Sequence, residues 1–173
     1  LLIDLIATVA AGFAGAGIAL ILRHLSGGRI HRGLAPIAAG LAMISYLVWN
    51  DYNWFDRTSE GLDERLEVVA TYPESAVWRP WSYVVPVTER FMAYDTATVM
   101  RNDAAPGQAL VNLYLYARRT PPAAMPLVID CELMRRGNLY NDVQFAEDGS
   151  LDGVTWHDMA ADDPLIEPIC DPA

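Results

Sequence analysis

The chain has 173 residues, with 22 acidic and 12 basic side chains, a net charge of −10 and no lysine. The length sets one ordinary domain plus attachments, and the acidic balance argues against nucleic acid as a partner, which needs a basic footprint to neutralise phosphates. The charge is unevenly spread: residues 1–50 hold Arg23, Arg29 and Arg32 against Asp4 alone, whereas residues 51–173 hold nine arginines and 21 acids.

Such asymmetry places the two parts of the chain in different surroundings. Frequent arginine and alanine without lysine point to a GC-rich bacterial genome.

Residues 5–22 carry no formal charge. At 1.5 Å per residue this run is about 27 Å long, close to a bilayer core. A second uncharged run covers 33–50, with Pro36 in its first turn, where a missing N–H is harmless. Both runs are apolar on every face, unlike a helix half-exposed to water. The expectation is a hairpin of two transmembrane helices at about 4–22 and 33–50. A buried hairpin of a soluble protein is the competing reading. A cleaved signal peptide fits poorly, because the arginine follows the first apolar run instead of preceding it.

Trp49, Tyr52, Trp54 and Phe55 follow the second run and have the composition of an interfacial aromatic belt. The loop 23–32 holds Arg23, Arg29, Arg32, His24 and His31 and no acid. The positive-inside rule assigns it to the cytoplasm, at the inner membrane of a bacterium. The N-terminus and the acidic remainder are then periplasmic.

Within the spans, Ala7, Ala11, Gly15 and Ala19 recur every fourth residue, and Ala35 and Ala39 repeat the spacing. Ala10 with Ala14 and Gly12 with Ala16 form neighbouring ladders on the first helix, as do Ala38 and Ala42 on the second. Small residues let helices approach closely, and in lipid that packing replaces the missing hydrophobic drive. One such face is needed for the two spans to pair. Small residues on more than one side of the first span point to a further partner.

An interfacial linker is expected over 51–65, and the charged residues 56–68 read as a short helix or linker. Residues 66–173 have the patterning of an α+β domain dominated by sheet. Strand composition marks 66–72, 90–100 as one strand or two, 109–119 and 125–131. Residues 142–159 fit two strands around a Gly-rich turn. In 109–119, Leu113 and Leu115 oppose Tyr114 and Tyr116 across the pleat. "WRPWSYVVP" and "RTPPAAMP" are expected loops, on their prolines, and "ELMRRGNLYND" a short helix ending at Gly137. Cys131 and Cys170 are the only cysteines, and an oxidising periplasm would join them. Closing that loop is worth roughly 3–4 kcal/mol.

No constellation for chemistry emerges. His157 is the exported part's one histidine, in "TWHDM", and no zinc spacing surrounds it. "DGSLDG" places Asp148, Ser150, Asp152 and Gly153 as in a calcium loop, but Met159 stands where a bidentate glutamate is required. Glu147 with Asp148 and Asp162 with Asp163 read as solvated turns. No nucleophile motif or phosphate loop occurs. Neither span holds a histidine for haem or pigment, so no tightly bound cofactor is expected.

The leading expectation is a non-catalytic accessory or assembly subunit of a larger membrane complex. Its partners would be the bilayer and other integral subunits, in a bioenergetic assembly, respiratory or photosynthetic. The other reading is a membrane-anchored periplasmic binding or sensing module. For it, Trp78, Arg79, Trp81 and Tyr83 form the candidate contact surface.

Overall fold

A computed structural model describes residues 2–102, 105–139, 144–145 and 151–171. The chain opens with helices α1 (Leu2–Leu25), α2 (Leu34–Tyr52) and α3 (Trp54–Glu60). Strands β1 (Leu66–Glu74) and β2 (Val87–Asp95) follow, separated by a segment with a 3-10 turn at Pro80–Tyr83. Then come β3 (Met100–Asn102), β4 (Ala105–Ala117), β5 (Thr120–Asp130) and β6 (Arg135–Asn138). The short strands β7 (Gln144–Phe145), β8 (Leu151–Asp152) and β9 (Trp156–Asp158) precede a final turn of helix, α4 (Ile166–Cys170). Two compact units result: Leu1–Asp56 with Ser75–Val87, and Arg57–Glu74 with Thr88–Ala173.

In the first unit, α1 and α2 are both long and apolar enough to cross a membrane. They run antiparallel, and the turn between them is built by glycine. Gly27 and Gly28 take positive φ, 64° and 82°. Their amides donate to the last carbonyls of α1, Gly27 to His24 and Gly28 to Arg23. This satisfies groups that a helix end otherwise leaves unpaired. The His31 Nδ1 accepts from the Gly33 amide at 3.1 Å and shapes the entry to α2.

The second unit is a curled antiparallel sheet in the order β1-β2-β4-β5-β6-β9, with β3 added beside β4. One face of it carries the core: Met92, Tyr94, Val111, Leu113, Leu127 and Ile129 pack with Met159, Leu165 and Ile169. The alternation in β4 sorts as its sequence implies, with Leu113 and Leu115 on this face. Tyr116 lies on the other, stacked on its cross-strand partner Phe91 at 4.8 Å. The disulfide Cys131–Cys170 joins the end of β5 to α4, with a Cα separation of 5.5 Å. It holds Leu165 and Ile169, both fully buried, against the sheet.

Residues 90–100, expected as one strand or two, belong to two, β2 and β3, with a 3-10 turn between them. Two segments depart from their sequence reading. "RTPPAAMP" is the first half of β5 and not a loop. Its prolines fall where no ladder donor is needed. Pro121 and Pro122 sit at the register shift between Leu115 and Ala117 of β4, and Pro126 lies one residue beyond the last pair with β6. The expected helix of "ELMRRGNLYND" is absent over its described residues 132–139, which form a turn leading into β6. The Asp130 carboxylate accepts from the Leu133 amide at 3.0 Å and from Arg135, and Met134 takes φ 49°. A side-chain acceptor so close to the chain competes with helix formation. Residues 146–150, which carry the expected Gly-rich turn with Glu147, Asp148 and Ser150, lie outside the described residues.

Candidate functional site

The first feature is the α1–α2 seam. Ala7, Ala11 and Gly15 are half-buried and Ala19 is buried, so the ladder with fourfold spacing faces α2. Gly15 lies against the backbone of Ala38 and the side chain of Ala42; a Cβ added there would stand 2.6 Å from the Ala38 carbonyl oxygen. Gly12 lies under Met43 in the same way. Ala35 and Ala39 are half-buried along α2. The seam is therefore lined by small residues from both helices, which lets the two backbones approach closely. Ala10 and Ala14 are exposed. Gly17 has open space where its Cβ would be, as has Gly40 on α2. A second small-residue stripe on α1 thus lies outside the hairpin. Arg23 is half-buried at the last turn of α1, while Arg29 and Arg32 are exposed in the connecting turn.

The second feature is the segment Ser75–Val87, held at the C-terminal end of α2. Tyr52, the last residue of α2, donates its hydroxyl to the Val85 carbonyl at 2.8 Å. Asp51 stands 3.9 Å from Arg79 Nη1, with both side chains buried. Inside the segment, Ser82 forms a knot. Its Oγ donates to the Arg79 carbonyl at 2.6 Å and accepts from the Ala76 amide at 2.9 Å. Ser75 Oγ donates to the Ser82 carbonyl at 2.9 Å.

This knot divides the four residues of the candidate contact surface. Arg79 is 6% exposed and turned inward, and Trp81 is half-buried. Trp78 and Tyr83 point outward, 73% and 62% exposed. Val77, Val84 and Val85 join them on the outside. The four aromatics expected to form a belt are similarly split: Trp49 is exposed, while Tyr52, Trp54 and Phe55 are half-buried.

Sequence reading missed Asp51 and Ser82. The signal for Asp51 was an acid directly after an apolar run, beside the belt aromatics. Ser82 carried none, because its partners are brought to it by the fold.

Two recesses open on described residues of the sheet unit. One, of about 390 Å³, is floored by Met92, Leu113, Leu115, Met125 and Leu127 and edged by Arg136, Asn138 and His157. His157 is exposed on β9. Arg136 also pairs with Asp163 at 3.2 Å, and Asp163 accepts from the Leu165 amide, so Asp163 is more than a solvated turn. The other recess, of about 490 Å³, is acidic, with Glu67, Glu167 and Asp171 around Tyr94. Tyr94 donates to Glu67 at 2.9 Å. Burial first, and then the Glu67 carboxylate, push the Tyr94 hydroxyl up to about 12. Among the described residues no three His, Cys, Asp or Glu side chains are grouped to hold a metal ion.

Comparison with protein-family models, with curated proteins and with solved structures finds no match to this chain.

Proposed function

We propose that this protein is a membrane-anchored, non-catalytic accessory subunit of a larger bacterial inner-membrane complex. α1 and α2 span the bilayer as a hairpin. The basic turn with Arg29 and Arg32 is cytoplasmic, and the disulfide-linked sheet unit is periplasmic, by the positive-inside rule and the redox preference of cystine. The observation that carries the reading is the second small-residue stripe. α2 occupies the side of α1 bearing Ala7, Ala11, Gly15 and Ala19, and leaves Ala10 and Ala14 exposed, with open space beside the half-buried Gly17. Lipid alone has no need of a bare helix face, whereas a third helix packs closely against one. A bioenergetic assembly is the host we favour, by analogy with the small cofactor-free subunits such assemblies collect.

Affinity purification from native membranes in mild detergent tests this. Stoichiometric co-purifying membrane subunits are expected, and Gly17→Leu is expected to release them. A small free particle from the wild-type chain would overturn the proposal.

A second reading, a periplasmic binding or sensing module, is favoured by the 390 Å³ recess with its apolar floor and its Arg136, Asn138 and His157 rim. That chemistry suits a small apolar ligand with an acceptor group. A ligand-dependent rise in the melting temperature of the whole protein would favour it.

A further inference from the structure

We infer that the segment Ser75–Val87 is a second membrane contact, seated in the headgroup region of the leaflet reached by the C-terminal end of α2. The inference rests on α1 and α2 spanning a bilayer, as proposed above. Three observations carry it.

The first is position. Tyr52 and Asp51, the last two residues of α2, bind Val85 and Arg79 directly. The segment is thereby fixed at the level where the apolar helix ends and does not hang from a free linker. The second is what it exposes. Val77 is 80% and Val84 84% exposed, with Trp78, Tyr83 and Val85 beside them. Aliphatic side chains flanked by Trp and Tyr are the composition of an interfacial contact, because those rings are apolar in body and polar at one edge. The third is charge. In a chain of net charge −10, the only ionisable group besides Tyr83 between Ser75 and Val87 is Arg79. Arg79 is turned inward toward Asp51. The segment thus presents no formal charge outward, so a bilayer does not have to desolvate one. A rigid internal knot at Ser82 lowers the cost further, since the side chains are held outward before contact. A protein partner would also cover these side chains, but the attachment to the helix end favours lipid.

The full chain, reconstituted in vesicles of phosphatidylcholine and phosphatidylglycerol, gives the test. Emission of Trp78 is isolated as the difference between wild type and Trp78→Phe, and that of Trp49 likewise through Trp49→Phe. Trp78 is expected to lose emission to lipids brominated near the glycerol end of the acyl chain, less to those brominated near the methyl end, and to resist aqueous iodide. If Trp49 is quenched by brominated lipid while Trp78 is open to iodide, the membrane contact of the segment is overturned and the spans stand. If Trp78 is shielded from both quenchers, polypeptide covers it, which also overturns the inference. If neither tryptophan responds to any brominated lipid, the spanning reading itself fails.

Discussion

Asp51, one residue before the end of α2, holds Arg79 at 3.9 Å from a segment 28 positions further along the chain. Both side chains are buried, in a part of the molecule that otherwise exposes apolar groups. A buried pair of this kind is costly to break from one side, because the remaining charge stays desolvated. Arg79→Ala is therefore expected to destabilise the helix unit by about 3 kcal/mol. Proteolysis between residues 75 and 87 in detergent should quicken accordingly. The double variant D51N/R79Q is expected to recover part of the loss, since two amides can hydrogen-bond without a net charge. Unchanged cleavage in Arg79→Ala would show that the pair does not hold the segment.

Gly15 and Gly17 separate the two sides of α1. Gly15→Leu drives a side chain into the Ala38 carbonyl and the Ala42 methyl. It is expected to cost about 1–3 kcal/mol of hairpin stability, as overpacking does elsewhere. Gly17→Leu meets open space and should leave the melting temperature in detergent unchanged. Equal destabilisation by both variants would contradict the seam described above.

Removing the disulfide frees α4. The bridge spans 39 positions, and the double variant C131S/C170S is expected to lose about 2–4 kcal/mol in denaturant unfolding. Leu165 and Ile169 are buried beside it, so binding of an apolar dye under mild denaturant should rise with the loss. A variant as stable as wild type would mean that α4 is held by its packing alone.

Tyr94 gives the sheet unit an alkaline limit. Its hydroxyl titrates at about 12, against an ordinary value of 10.0. Folding thus favours the protonated form. The stabilisation is complete below the unfolded value and is lost as pH rises through the folded one. Unfolding monitored by denaturant should become easier between about pH 10 and 12. Tyr94→Phe is expected to flatten that part of the profile. A slope identical in the variant would assign the alkaline loss to other groups.

The sequence by itself determined the local properties of this protein. Uninterrupted apolar runs made two long helices, in which the backbone groups within each run are paired internally. Period-two alternation sorted Leu113 and Leu115 from Tyr116. Two cysteines in the whole chain left one intramolecular pairing, and it is made. Where composition and context disagreed, context won. Proline marked 119–126 as a loop by its missing donor, yet a strand has positions where that donor is not used, and only pairing with β4 and β6 reveals them. Tertiary structure alone decided three further matters. It placed Gly12 and Gly15 of α1 against α2 and left Ala10 and Ala14 exposed, a choice between faces that periodicity presents as equivalent. It brought Ser75–Val87 back to the end of α2, through contacts made by Asp51 and Tyr52 at long separation. And it turned Arg79 inward while turning Trp78 outward, although the two are adjacent in the chain. Local sequence carries propensity and pattern; which partner satisfies a given face or charge depends on distances that exist only once the chain has folded.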